Sequence, residues 1–133
     1  VLSNKGGALP VLAKPIKLGF GAAFGSGRSW QSWIHIKDLA GLFLYVMTHN
    51  LEGAFNAVAP NPVTNQDLTK LCAKVLNKPL WLPNIPKFFM KLVLGDMHTL
   101  LFLSQRVSSK KIEEAGFNFK FHHLQPALEA LLK

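Results

Sequence analysis

The sequence has 133 residues, 49% hydrophobic and 17% charged, which indicates one compact domain and excludes a disordered chain. Lys and Arg outnumber Asp and Glu by 15 to 7, and the resulting net charge of +8 suggests an anionic partner. Because the basic residues are dispersed, a solvated basic surface is a simpler interpretation of this charge than nucleic-acid binding.

The cysteine content and the length of the apolar runs indicate the cellular compartment of the protein. The one cysteine, Cys72, excludes an internal disulfide framework and suits a reducing, cytoplasmic environment. Val1 begins directly in an apolar run, so we expect no signal peptide. The longest apolar run, 88–103, contains Lys91 and Asp96 and is shorter than the roughly 20 apolar residues that cross a bilayer. No membrane-spanning segment is therefore predicted.

The first predicted elements precede a glycine-rich loop. Residues 1–3 indicate the end of a strand, and apolar spacing over 8–18 predicts a helix that Pro15 breaks. The loop, 19–27, can adopt backbone angles that other residues avoid and can approach a ligand closely.

A strand predicted over 30–36 follows, with Trp30 and Trp33 on opposite faces. We assign Trp33 to the core and Trp30 to the rim of a pocket, where its ring forms an apolar wall. Amphipathic spacing predicts a helix over 38–48. Asp38 begins it, because a carboxylate suits the free N–H groups and the positive end of the helix dipole.

Past this helix, the alternation of residues 53–59 predicts a buried strand. Thr64 and Asp67 have the spacing of a capping box at the start of a helix over 64–76. The apolar face of that helix includes Cys72, which should therefore be buried and unreactive.

The last third of the chain is predicted to be mainly helical. The predicted elements are helices over 85–94 and 97–103, a short helix capped by Ser108 or Ser109 and ended by Gly116, an alternating strand or extended edge segment over 117–121, and a final helix over 124–132. The first two helices are apolar nearly all round, which indicates burial on several sides or contact with a partner.

Several short segments together carry a family resemblance. In this order they resemble the late part of extended short-chain dehydrogenases/reductases of the sugar-nucleotide epimerase type, in the branch that ends in a C-terminal domain of unknown function. The segments are Gly6-Gly7-Ala8-Leu9-Pro10, Gly25-Ser26-Gly27-Arg28, the stretch 31–40 with Ser32-Trp33-Ile34-His35, Gln105-Arg106-Val107 and Ala115-Gly116-Phe117.

The resemblance covers nearly the whole chain and implies its fold class. We expect an α/β protein: a C-terminal fragment of a doubly wound Rossmann-type protein, mostly helical with a few short strands. Residues 1–60 would supply the last sheet elements and the active-site loop, and residues 61–133 a mainly helical C-terminal lobe.

The same resemblance implies a NAD(P)-dependent epimerase or reductase that acts on a nucleotide sugar or another anionic compound. The family's catalytic Tyr-x-x-x-Lys is absent here, because the sole tyrosine, Tyr45, has His49 four residues later. The glycines of 19–27 precede a strand, whereas a dinucleotide cradle follows a strand and opens a helix. We therefore expect a substrate-binding portion with no catalytic, cofactor-binding or metal-binding residue, which binds no NAD or NADP alone and lacks its N-terminal cofactor domain.

Five residues are predicted to bind the substrate: Arg28, Trp30, Gln31, His35 and Arg106. An arginine can meet a diphosphate with two parallel N–H bonds, although a surface arginine and an ordinary connector are the alternatives at positions 28 and 106. Gln31 stands where the family has a diphosphate-binding arginine, which leaves that contact open. For His35, a hydrogen-bonded core residue is favoured over an acid, base or orienting group.

Two further expectations concern partners. Apolar surface that the missing half would cover predicts an oligomer or a marginally stable piece. The alternative function is a basic, non-enzymatic module that binds nucleic acid or a protein through the apolar helix over 85–103.

Overall fold

The structure, a computed structural model, describes residues 1–96 and 103–133. Most of the helix predicted over 97–103 lies outside these residues. The described helices are α1 Ala8–Lys17, α2 Ile36–Thr48, α3 Asn65–Leu76, α4 Lys87–Leu94, α5 Lys110–Glu114 and α6 Leu124–Leu132. Two short strands, β1 Trp30–Gln31 and β2 Val63–Thr64, pair antiparallel with Trp30 opposite Thr64. The prediction of a mostly helical chain with a few short strands is confirmed.

The predicted strand over 30–36 is shorter than expected. Only β1 pairs with another strand. The residues that follow it form isolated backbone hydrogen bonds with two other segments. Leu2 bridges His35 in parallel, with the Leu2 N–H donating to the Ile34 carbonyl at 2.7 Å. The Ala59 N–H donates to the Trp33 carbonyl at 2.7 Å. A strand needs consecutive ladder bonds, and this segment has only isolated ones.

The buried strand predicted over 53–59 is likewise not formed among the described residues. Its alternating apolar side chains pack, with Phe55 and Ala57 partly buried against a core cluster. The alternating burial of these side chains therefore does not require a strand. The segment around Trp33 forms one backbone hydrogen bond with it, at Ala59, and no ladder.

Helix boundaries follow local chemistry with two corrections. The Thr64 hydroxyl accepts the Asp67 N–H at 3.2 Å, which confirms the predicted cap of α3. Pro15 does not break α1, which continues to Lys17. It lies in the last turn, where the missing N–H removes one intrahelical bond, and its carbonyl accepts the Phe20 N–H at 2.8 Å.

The second correction concerns Asp38, which does not begin α2. The helix starts at Ile36, and His35 is its N-cap, with the Nδ1 atom accepting the Lys37 N–H at 3.0 Å. Asp38 lies in the first turn and is 4% exposed. Its carboxylate accepts backbone N–H groups from residues 120 and 121, so it binds a distant segment.

Of the two alternatives predicted for residues 117–121, the strand is not formed. Two N–H groups of this segment are satisfied by Asp38, and no partner strand pairs with it among the residues described. Phe117 and Phe119 are buried as the alternation predicted, with ring centroids 4.9 Å apart.

Two clusters form the core. The larger one joins α1, α3 and α6, and contains Trp33 and Cys72. Trp33 is a core residue, as predicted, and its indole N–H donates to the Asn61 carbonyl at 2.7 Å. Burial raises the pKa of the Cys72 thiol to about 12, as expected for an unreactive thiol. The smaller cluster packs α2 against α5 and includes Ile34, Leu42 and Ile112.

The larger cluster contains residues from both sides of residue 60. The predicted division into sheet elements over 1–60 and a helical lobe over 61–133 therefore stays a prediction. None of the helices in the described ranges combines the length and the apolar character needed to span a bilayer.

Candidate functional site

The candidate site is built where β1 meets residues 104–107. The Trp30 N–H donates to the Ser104 hydroxyl at 3.0 Å, and the Gln105 N–H donates to the Trp30 carbonyl at 3.0 Å. Because β2 occupies the other edge of β1, the strand is held between two segments that are distant in sequence. This pairing fixes the backbone on both sides of the Trp30 ring.

Ser32 completes the connection and was missed by the sequence reasoning. Its hydroxyl donates to the Gln105 carbonyl at 2.9 Å and accepts the Val107 N–H at 2.9 Å. Both groups flank Arg106, so one hydroxyl determines where that backbone lies. A serine within an apolar strand pattern carries no local signal of a partner more than 70 residues away.

Arg106 lies over the aromatic face of Trp30. Its guanidinium carbon is 4.6 Å from the ring centroid, within the range of a cation–π contact. Trp30 is half-buried and Arg106 is exposed, so the ring forms a wall and the guanidinium retains donors that face solvent. The structure thus brings together two of the five predicted site residues.

A cavity of about 360 Å³ borders Arg106, and Trp30 is not part of its lining. Its lining includes Pro60, Arg106, Ser108, Lys110 and Glu113. Two cationic side chains and a hydroxyl favour a polar, anionic ligand, and Glu113 limits how much negative charge the site accepts.

The glycine-rich loop is accounted for by internal packing. The buried Asn65 side chain accepts the Phe24 N–H at 2.7 Å through its Oδ1 atom. The Gly25 N–H donates to the Ile85 carbonyl at 2.7 Å. Gly27 has a positive φ of 73°, and a Cβ atom there would come within 3.1 Å of the Gln66 Cβ. These glycines pack against α3 and its neighbours, which gives the loop a structural role, and the expectation that it is not a dinucleotide cradle stays a prediction.

Arg28 ends this loop two residues before Trp30, and its side chain is exposed. Its guanidinium makes no ion pair within residues 1–96 and 103–133. Gln31, the next predicted residue, is half-buried in β1 and lies opposite Val63. Arg28 and Gln31 lie within two residues of Trp30 in the sequence. Their contact with a ligand stays a prediction.

His35 lies inside the protein and is 1% exposed. Its ring stacks on Phe121 with centroids 4.2 Å apart, and its Nδ1 atom accepts the Lys37 N–H. The neutral ring therefore carries its proton on Nε2, which has no hydrogen-bond partner in the described parts of the chain. Burial lowers the pKa of His35, and nearby Asp38 opposes that effect. This environment favours a structural histidine, and a substrate contact remains a prediction.

Tyr45 also has a structural explanation. Its hydroxyl donates to the Ala115 carbonyl at 2.8 Å, and its ring stacks on His49 with centroids 3.9 Å apart. It therefore fastens α2 to the end of α5.

Comparison with known proteins identifies what this chain is similar to. Over 133 residues it is 38% identical to the epimerase family protein YfhF of Bacillus subtilis, covering 99% of this chain and 44% of that protein. Over 134 residues it is 36% identical to the chloroplastic SDR39U1 homolog of Arabidopsis thaliana, an epimerase family protein of which it covers 38%. Residues 85–131 match the family model of a domain of unknown function, DUF1731.

The chain carries the C-terminal domain of the epimerase family. The predicted family is thus confirmed, and the chain spans less than half the length of the curated epimerase family proteins that it matches.

Solved structures of epimerase family members have the same fold. The chain superposes on human epimerase family protein SDR39U1, isoform 2, solved with NADPH, with a TM-score of 0.89 and 30% identity, covering 98% of this chain and 44% of that one. It also matches a nucleoside-diphosphate sugar epimerase from Corynebacterium glutamicum, with a TM-score of 0.71 and 31% identity, covering 96% of this chain and 23% of that one. The predicted Rossmann-type fold class is confirmed.

Proposed function

We propose that this chain is the substrate-binding part of a NAD(P)-dependent nucleoside-diphosphate-sugar epimerase or reductase. Its curated relatives are named epimerase family proteins, and one solved relative is named a nucleoside-diphosphate sugar epimerase. Another solved relative contains NADPH, which favours NADP in the longer protein. The cofactor domain and the proton-transfer residues of that protein would precede Val1.

The contact between Arg106 and Trp30 carries this proposal. A guanidinium presents N–H donors in a planar fork that matches two oxygens of a phosphate. Stacking on the Trp30 ring at 4.6 Å restricts the orientation of the planar guanidinium, so the side chain loses less entropy when the phosphate binds. The adjoining cavity of about 360 Å³ leaves room for one phosphate-bearing end of a ligand.

The other predicted residues complete the proposed site. Arg28 would reach the second phosphate from the end of the loop that leads into β1. Gln31 would hydrogen-bond a polar group of the substrate, at the position where the family resemblance implies an arginine. His35 would act from the interior by fixing the junction between β1 and α2.

In the longer protein, the nicotinamide cofactor would supply the hydride chemistry. We do not assign that cofactor to residues 19–27, because the Asn65 side chain and the Ile85 backbone already engage the Ala23 carbonyl and the Phe24 and Gly25 N–H groups. This chain would therefore bind and orient the substrate, and we assign no step of the reaction to it.

Calorimetric titration of the longer protein with UDP-glucose tests this function. Arg106→Ala should weaken binding by about 10-fold or more, since it removes charge-assisted hydrogen bonds worth about 1.5–3 kcal/mol. Lys74→Ala, which removes an exposed cation from α3, is the matched control and should leave affinity unchanged.

Equal affinities for all three proteins would contradict this site. Failure of UDP-, GDP- and dTDP-sugars to bind would contradict a nucleotide-sugar substrate. If a nucleic acid of arbitrary sequence bound instead, with an affinity that falls steeply with salt, the alternative of a basic binding module would be supported.

A further inference from the structure

Helix α2 carries an apolar stripe on its outer face. Four exposed residues form it: Ile36 at 40% exposed, Phe43 at 60%, Leu44 at 59% and Met47 at 68%. The last three follow Ile36 by seven, eight and eleven residues, and this spacing places all four on one side of the helix. The opposite side packs into the smaller core cluster through Leu42. A helix that faces solvent usually has a polar outer face, and α2 has no charged residue after Asp38.

The start of α2 lies beside the start of the described chain. Leu2 bridges His35, the N-cap of α2, and the Leu2 carbonyl accepts the N–H of Ile36 at 3.0 Å. Polypeptide that precedes Val1 in a longer protein would therefore enter next to this helix. The relatives have room for such a segment, since the chain covers 44% of YfhF and 44% of human SDR39U1.

We propose that the outer stripe of α2 is the contact surface for the nucleotide-binding domain that precedes Val1 in the longer protein. This inference rests on the proposed function, which supplies that domain. The matching surface would be uncharged and apolar, because the stripe offers no charge to pair.

A depression beside the stripe would receive a side chain of that domain. It has a volume of about 360 Å³, and its lining includes Leu44, Tyr45, Gly116, Phe117 and Asn118. Gly116 has a positive φ of 101° that favours glycine there, and a Cβ atom at this position would collide with the Tyr45 hydroxyl.

A tethered domain suits this surface better than a second copy of the chain. Stable dimers bury about 1,200–2,000 Å² in total, which is more than one helical stripe offers. A domain in the same polypeptide binds at an effective concentration of about 1 mM, so a smaller contact is sufficient.

A second apolar surface, on α4, provides a matched control. Phe88, Phe89 and Leu92 are exposed there, at 65%, 54% and 71%. It is connected to the rest of the fold through the bridge between Phe24 and Ile85 and not through Leu2.

Glutamate substitutions in two contexts test the assignment. In the longer protein, Met47→Glu should lower the melting temperature by about 5 °C or more, because a carboxylate would be buried without a partner. In the 133-residue chain, where position 47 is exposed, the shift should stay below about 2 °C. Leu92→Glu should cause only such a small shift in both proteins.

A second measurement applies if the Met47→Glu protein cannot be produced. Backbone amides of α2 should exchange at least about 10-fold more slowly in the longer protein than in the 133-residue chain, whereas those of α4 should not.

An unchanged melting temperature for Met47→Glu in the longer protein, or equal exchange of α2 in both proteins, would overturn the proposal. So would light scattering that shows a dimer which Met47→Glu dissociates into a folded monomer, since a second copy would then be the occupant. A longer protein that shows the predicted Met47 effect but binds no nucleotide sugar would overturn the proposed function and leave this contact in place.

Discussion

The carboxylate of Asp38 accepts the backbone N–H of Phe121 at 2.9 Å and that of the adjacent Lys120 at 2.8 Å. Asp38 is buried in the first turn of α2, and Phe121 lies 83 residues away, shortly before α6. Hydrogen bonds to a buried carboxylate are stronger than those between neutral groups. This contact therefore holds the end of the chain against α2 and against the ring of His35.

Asp38→Asn tests the importance of this contact. An amide has one acceptor oxygen, so one of the two backbone N–H groups would meet an NH₂ group and lose its partner. The free energy of unfolding should fall by about 2–3 kcal/mol. Urea denaturation measures it, with the exposed Glu52→Gln as control. Equal stability of the two variants would show that the buried carboxylate does not hold residues 120 and 121.

His35 should make stability depend on pH. Burial lowers its pKa below the ordinary value of 6.5, an effect that Lys37 and Lys120 reinforce and Asp38 opposes. The unfolded chain then binds more protons than the folded one between the lowered pKa and 6.5. The contribution of His35 is therefore fully present above 6.5 and is lost as the pH falls toward the folded pKa.

Denaturation at about pH 7.5 and about pH 5.5 measures this dependence, since histidine is the side chain that titrates in this range. His35→Gln should lower stability at both values and reduce the difference between them. His123→Gln, at an exposed position, should keep the full difference. A His35→Gln protein with the same pH dependence as the original would contradict a buried, neutral imidazole.

Ser32 is expected to position Arg106. Ser32→Ala leaves the half-buried Val107 N–H without an acceptor, at a cost of about 1–3 kcal/mol. It also frees the Gln105 carbonyl, so the backbone on both sides of Arg106 loses its anchor.

Two readouts separate positioning from a purely structural role. In the longer protein, Ser32→Ala should weaken UDP-glucose binding about 3–10-fold at a temperature where the protein is fully folded. Ser3→Ala, which removes a hydroxyl that accepts the Lys5 N–H outside the proposed site, should leave binding unchanged. A loss of stability without any loss of affinity would show that Ser32 only supports the fold.

Local patterns predicted the long helices well, for physical reasons. The cap at Thr64 and the apolar spacing of α3 involve groups within a few residues of one another, so the sequence contains the whole interaction. The core position of Trp33 followed in the same way from the apolar strand around it.

Non-local hydrogen bonds explain the errors. Segments 53–59 and 117–121 alternate like strands, yet a strand also needs a neighbour, and Asp38 takes the N–H groups of the second segment. The apolar spacing around Asp38 could not reveal that its side chain binds residues 120 and 121. A carboxylate at the start of a helix is already explained by the helix dipole, so nothing in the sequence called for a distant partner. The candidate site was found only in part: resemblance pointed to Arg106, whereas Ser32 and Ser104 depend on contacts more than 70 residues apart.

In the proposed function, Arg106, stacked on Trp30, would bind the anionic part of a nucleotide sugar. Nuclear magnetic resonance of the longer protein, with labelled arginine and tryptophan side chains, tests it most directly; Arg106→Lys and Trp30→Phe identify the two signals. During titration with UDP-glucose, the Arg106 Nε–Hε and Trp30 indole N–H resonances should shift together and saturate at the calorimetric affinity. Unchanged positions of both resonances at saturating ligand would contradict the claim.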